Sequence, residues 1–153
     1  QILKRWIDMK SIEGKIDEFV SECRETGLKA THQRIEIFRE LACMDSHPDA
    51  ESLYRAVRKR LPTISFDTVY RTLRILEEKG LIKRIGPPLD RGKFDGNLTP
   101  HHHFVCTKCG MVGDFYDEKF DHLNAPREAL QYGTPETVRV EVYGICKACR
   151  ETE

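Results

Sequence analysis

Two Cys-x-x-Cys pairs, Cys106-Thr107-Lys108-Cys109 and Cys146-Lys147-Ala148-Cys149, constrain this chain more than any other feature. Each pair presents two thiolates at knuckle spacing, and four thiolates fill the tetrahedral shell of one zinc ion without an open position for catalysis. The pairs are separated by 36 residues, so a shared ion would tie the region around Cys106 to the end of the chain and contribute folding free energy directly. That gap exceeds the roughly 15–20 residues of a common zinc ribbon, and a standard ribbon therefore fits less well. A pair of redox dithiols, or chance spacing, are the alternative readings. Cys23 and Cys43 stand singly, as small apolar residues commonly do, and receive no role.

With 153 residues, the chain has room for one domain or for two small units that each need extra stabilisation. In a reducing compartment six cysteines argue for metal or redox chemistry over structural disulfides. No apolar run approaches the roughly 20 residues of a membrane span and no secretory apolar region opens the chain, so a soluble, cytoplasmic protein with no membrane partner is expected. The 25 basic and 25 acidic side chains balance overall, and no global positive field announces a nucleic acid. Their distribution is uneven: residues 1–88 carry 17 basic against 14 acidic, residues 89–153 carry 8 against 11.

The first half is helical in pattern. Ile12, Ile16, Phe19, Val20 and Cys23 recur at helical spacing before Gly27, and Thr31 offers an N-cap to a second helix with Ile35, Phe38, Leu41 and Ala42 on one face. Asp49 begins a third helix through Ala50, Leu53, Tyr54, Val57 and Leu61, closed by Pro62. Ser65 caps a fourth, with Phe66, Val69, Tyr70, Leu73 and Leu76, ended by Gly80. Leu81 to Ile85 reads as a strand, Gly86-Pro87-Pro88 as a turn, and Arg91 to Phe94 as the returning strand. Helices, a tight turn and a basic hairpin describe a winged helix-turn-helix; an ordinary helical bundle is the alternative. The fourth helix offers Ser65, Thr68, Tyr70, Arg71 and Arg74 to base edges and phosphates, and the hairpin offers Lys83, Arg84, Arg91 and Lys93 to a DNA backbone.

After residue 100 the period changes. His103–Cys106 and Gly113–Phe115 read as short strands, and Val138, Val140 and Val142 alternate as a half-buried strand would. Asn124-Ala125-Pro126 reads as a helix start with Leu123, Ala129 and Leu130 as its apolar contacts. A strand through His101-His102-His103 projects His101 and His103 to one face and His102 to the other. Two imidazoles on one face are half of a metal site, and Asp95 and Asp114 are near enough in sequence to complete it.

The segments Gly27-Leu28-Lys29-Ala30-Thr31-His32-Gln33-Arg34, Thr68-Val69-Tyr70-Arg71-Thr72-Leu73 with Gly80-Leu81-Ile82, and His101 through Cys109-Gly110 with Asp114-Phe115 resemble the ferric uptake regulator family, in its order, from about Ile12 to Cys149. The resemblance implies an α+β chain: a winged-helix DNA-binding domain over 1–94, a hinge over 95–100, and a small α/β domain over 101–153 for zinc binding, dimerisation and metal sensing. It further implies a structural Zn(II) on Cys106, Cys109, Cys146 and Cys149, and a regulatory Fe(II) or Mn(II) on His47, Asp95, His101, His103 and Asp114. His47 taken alone reads better as a helix-cap or surface residue; the match makes it a ligand. Asp114, where iron-sensing members generally carry Glu, resembles the peroxide-sensing branch. The implied function is a homodimeric, metal-dependent repressor on a double-stranded DNA operator that senses peroxide through iron-catalysed oxidation of His47 or His101. A repressor sensing iron or zinc availability is the alternative, and a zinc-dependent hydrolase a remote one, since no His-x-Glu accompanies a Pro-Cys-x-x-Cys. The family's third site finds Thr137 and Val138 where a histidine is expected, and His102, Asp121 and His122 read as surface residues.

Overall fold

The computed structural model describes residues 11–86, 92–97 and 99–152. The chain divides into two compact units, residues 1–99 and 100–153.

Among the described residues, four helices build the first unit: α1 (Ile12–Glu25), α2 (His32–Cys43), α3 (Ala50–Val57) and α4 (Phe66–Glu78). Each begins at a side chain that accepts a hydrogen bond from an otherwise unpaired amide of the first turn. Ser11 accepts from Gly14, Thr31 from Arg34, Asp49 from Ser52 and Ser65 from Thr68, each worth about 1 kcal/mol. Helices α1 and α4 end in glycines at positive φ, Gly27 at 72° and Gly80 at 71°. There the next amides, Leu28 and Leu81, close back onto the Cys23 and Leu76 carbonyls at 2.8 Å, and glycine reaches this conformation without steric cost.

The helices enclose Phe19, Ile37, Leu53, Val57, Val69, Leu73 and Leu76. Phe19 and Phe38 stack with ring centroids 4.2 Å apart. Burying a side chain of this size stabilises by roughly 1.5–3 kcal/mol. Three details depart from the helical pattern read in the sequence. Ile37 is fully buried and Ile35 only partly, so α2 turns a slightly different face inward. Phe66 and Tyr70 are 43% and 37% exposed, and α4 buries Thr72 in their stead. Helix α3 stops at Val57, where the Arg60 and Leu61 amides both bond the Val57 carbonyl in a tight turn; Pro62 disfavours helical backbone just before it.

Leu81 and Ile82 are buried in the core. They lead into β1 (Lys83–Ile85), which pairs antiparallel with β2 (Lys93–Asp95), Arg84 opposite Phe94. Phe94 is fully buried and Asp95 is the last strand residue, so this carboxylate stands at the end of the hairpin, where the segment 95–100 begins. Arg91 and the Pro87-Pro88 turn lie outside the described residues.

The second unit is a three-stranded sheet in the order β4-β3-β5. Central β3 (His102–Cys106) pairs antiparallel with β4 (Val112–Phe115) and parallel with β5 (Glu141–Gly144). Between them come α5 (Glu118–Asp121) and a 3-10 turn (Arg127–Gln131); α6 (Lys147–Glu151) follows β5. Among the described residues its buried apolar set is only Val105, Cys106 and Cys146. Val138 precedes the strand, and with Val142 it is more than 40% exposed, as are Leu123 and Leu130. The alternation around Val140 therefore marks a face left partly exposed in this structure, and Leu123 and Leu130 are not buried as the sequence pattern suggests.

Neighbouring residues of α4 test this division of labour. Leu73→Ala is expected to cost about 2–5 kcal/mol and Arg74→Ala within about 0.5 kcal/mol, read as the shift in urea unfolding of the first unit.

Candidate metal centres and nucleic-acid interface

Sheet register assembles the four thiols. In the β3–β5 pair Cys106 stands opposite Gly144, so Cys146 follows two residues past the end of the ladder, beside Cys106. The Thr107 amide and hydroxyl both donate to the Gly144 carbonyl, at 2.8 and 3.3 Å, and fix the first knuckle to the second strand. Cys146 caps α6, its Sγ accepting from the Cys149 amide at 3.4 Å, and its own amide donates to Cys106 Sγ at 3.3 Å.

All four Sγ atoms lie within 4.8 Å of one another, and Cys109 and Cys146 are 3.8 Å apart. A tetrahedral ion with sulfur ligands at about 2.3 Å has an S–S edge of about 3.8 Å, whereas a disulfide closes to about 2.05 Å. The electrostatics of the four thiols agree with the geometry. The Cys109 and then the Cys146 backbone amides hold the Cys106 thiol down at about 6, and hydrogen bonds to the Cys109 and Cys146 thiols push Cys149 up to about 12. One thiolate forms readily and the last thiol keeps its proton among its neighbours. A dication that displaces those protons relieves the conflict. The donor set and its spacing fit Zn(II).

The histidines and carboxylates form a set in each unit. In the first, His47 lies in the loop between α2 and α3, and Asp95 ends β2. The Phe94 amide donates to the Pro48 carbonyl at 2.9 Å, joining loop to strand and bringing His47 Nε2 to 3.4 Å from Asp95 Oδ2, both side chains buried. The other Asp95 oxygen accepts from the Asn97 amide at 2.8 Å. In the second unit, the sheet register sets Asp114 opposite His103. Asp114 Oδ1 lies 3.5 Å from His103 Nε2 and 3.9 Å from His101 Nε2, and the two rings are 4.6 Å apart. These nitrogen–oxygen separations are long for hydrogen bonds and fit donors converging on a shared cation, with imidazole and carboxylate suiting Fe(II), Mn(II) or Zn(II).

His102 points to the opposite face. It is buried, not a surface residue, with Nε2 3.0 Å from Asp121 Oδ1 and its ring against Phe115 and Phe120. The sequence groups Asp121 with His102 and His122 but does not show that His102 is buried against it, because α5, which carries Asp121, is too short to leave a periodic signal.

Along the residues expected to meet DNA, Ser65 is occupied as the α4 cap, and its Oγ also lies 2.8 Å from Thr68 Oγ1. Tyr70 is part of an aromatic row, Phe66 between Tyr54 and Tyr70 at 5.6 and 6.2 Å. Arg71 pairs with Asp67 at 2.6 Å and Arg74 approaches Glu78 at 3.8 Å. Arg84 packs over the Phe94 ring and pairs with Glu77 at 3.1 Å, while Lys83 and Lys93 are partly exposed on the hairpin. The acidic partners were not singled out in the sequence, although the spacing of four between Asp67 and Arg71 was readable there.

A winged helix-turn-helix followed by a small mixed sheet with four gathered thiols defines the class of protein: a two-unit winged-helix chain with a four-cysteine cluster positioned for a metal ion. The profile of the Ferric uptake regulator family matches residues 25–143. The peroxide-responsive repressor PerR of Staphylococcus epidermidis is 33% identical over 94% of this chain and 96% of its own length. Among solved structures, the Campylobacter jejuni peroxide stress regulator is 30% identical at a TM-score of 0.61, covering 85% of this chain and 98% of that one. The Francisella tularensis ferric uptake regulator with iron is 26% identical at 0.61, covering 81% and 96%. The chain belongs to the ferric uptake regulator family, whose members are transcription regulators and not enzymes.

If the thiol cluster closes the second unit, Cys146→Ser lowers zinc content measured by elemental analysis and loosens that unit, seen as faster amide exchange across β3 and β5. Cys43→Ser, exposed and outside the cluster, leaves both unchanged.

Proposed function

We propose that this chain is a homodimeric, metal-dependent repressor that binds double-stranded DNA and senses peroxide by oxidation of one of its own histidines. The observation that carries the peroxide reading is the pairing of His101 and His103 with an aspartate, Asp114. The peroxide-responsive name of relatives matched over nearly their whole length supports it. Cys106, Cys109, Cys146 and Cys149 would hold structural zinc.

Neither histidine–carboxylate set is a complete shell. His47 and Asp95 offer two ligands and His101, His103 and Asp114 three, so one divalent ion that recruits both sets would have five. Such an ion ties the winged unit to the sheet unit. By linkage, metal and DNA then tighten each other's binding if both favour the tied state. Ferrous iron bound there supplies the redox chemistry that divides peroxide into one oxygen atom for an imidazole carbon and one molecule of water. An oxidised His47 or His101 is a weaker ligand, the tie loosens and DNA is released. The sensor is consumed by the reaction, which is why this is regulation and not catalysis.

Dimer formation is supported by the apolar groups that the second unit leaves uncovered, among them Leu130, Tyr132, Val138, Val142, Tyr143 and Ile145; contiguous exposed apolar surface marks association sites. A second reading, sensing of iron availability, is favoured by the likeness to the iron-carrying Francisella regulator.

Peptide mass spectrometry separates the two. Protein loaded anaerobically with Fe(II) and given dilute peroxide is expected to gain one oxygen on His47 or His101 and to lose DNA binding, while Mn(II)-loaded protein does neither. Metal-dependent DNA binding with unmodified histidines identifies an availability sensor. In either case His47→Ala is expected to weaken the metal dependence of DNA binding, measured by fluorescence anisotropy; unchanged dependence removes His47 from the site.

A further inference from the structure

Helix α4 buries Val69, Thr72, Leu73 and Leu76. The stripe diametrically opposite, at spacings of four, three and four, is Asp67, Arg71, Arg74 and Glu78. All four side chains are more than 60% exposed. The outermost line of this helix therefore carries no net charge, although a surface made only to attract phosphates gains by leaving its cations uncompensated. The two pairs are also unequal: Arg71 contacts Asp67 at 2.6 Å, while Arg74 and Glu78 stand 3.8 Å apart.

We propose that Asp67 determines the sequence specificity of this helix by holding Arg71 for a guanine edge and by repelling acceptors that approach without a compensating contact. The inference rests on the reading of α4 as the DNA-recognition helix. Asp67 and Arg71 belong to its first half, the part of such a helix that reaches base edges. A guanidinium has five N–H donors in a rigid fork. With one nitrogen engaged by Asp67, the remaining donors are fixed in direction and suit the O6 and N7 acceptors of guanine in the major groove. The carboxylate disfavours a phosphate oxygen at the same place, which steers Arg71 from backbone to base. It also disfavours an acceptor-only edge such as thymine O4, while a cytosine amino group beside the guanine can donate to it.

Exposed pairs at this spacing contribute little to stability, so Asp67→Asn leaves the fold intact and the test concerns DNA alone. Metal-loaded full-length wild type, Asp67→Asn, Asp67→Glu and Arg71→Ala are each used to select from duplexes with a randomised central segment. The selected site, its base-pair variants and poly(dA-dT) are then titrated across a salt series. Wild type is expected to require a G·C pair at one position of each half-site, and Arg71→Ala to lose that requirement. Asp67→Asn is expected to lower the preference at that position about tenfold, to tighten binding to poly(dA-dT), which has no guanine edge, and to steepen its salt dependence by about one counterion. Asp67→Glu, which keeps the charge, restores most of the discrimination.

An Asp67→Asn protein with the wild-type base preference and salt dependence overturns the inference and leaves Asp67 as an ornament of the helix N-terminus, while DNA reading by α4 stands. A wild type that enriches no sequence overturns that underlying reading, and the role of Asp67 with it.

Discussion

The second unit depends on the parallel pairing of β5 with β3. Parallel strands need a long crossover, and here the chain travels from Cys106 through β4, α5 and the 3-10 turn before it returns at Glu141. Closing that loop costs entropy, and among the described residues the unit's buried apolar set is only Val105, Cys106 and Cys146. The same pairing puts Gly144 beside Cys106 and hence Cys146 next to it, so the sheet and the thiol cluster require each other. The ladder delivers the ligands, and an ion holding the four sulfurs would keep the ladder closed.

The winged unit carries its own support. Its core runs from Phe19 in α1 to Phe94 in β2, and its four helices begin at side-chain caps. The hairpin does more than complete that core. Because the Phe94 amide bonds the Pro48 carbonyl, burying Phe94 also fixes Asp95 next to His47. A packing residue thereby sets a candidate ligand pair, and a change in the wing would be felt at His47 through one backbone hydrogen bond.

The readable parts of this fold were those that local chemistry decides. Thr31, Asp49 and Ser65 start helices because their oxygens reach amides three residues on, and Gly27 and Gly80 stop them for conformational reasons; all five lie where the pattern put them. The opposed directions of His102 and its neighbours follow from strand geometry, and the two cysteine pairs needed only their spacing. Features set by tertiary or quaternary contact were not readable. The choice of Ile37 over Ile35 in α2 depends on what packs against it. The alternation around Val140 carries the period of a buried strand but not the identity of whatever covers it. The short helix α6 has no periodic signal, since it is defined by Cys146 as its cap.

The buried histidine row shows what the sheet unit gives up for its site. His101, His102 and His103 occupy successive positions leading into the central strand, and each is only 6% exposed, in a unit with little apolar surface to bury. Imidazoles there contribute less hydrophobic stabilisation than valines would and bring polar nitrogens that demand partners. The fold answers on both faces: Asp121 from α5 meets His102, and Asp114 from β4 faces His101 and His103. On the first face a 3.0 Å contact satisfies the ring directly. On the second, one carboxylate oxygen stands between two imidazoles at separations too long to bond either well. A core optimised for stability alone has no reason to hold three polar groups at that distance. Such a local departure from good packing belongs to function, and a cation set among the nitrogens and the carboxylate would resolve it.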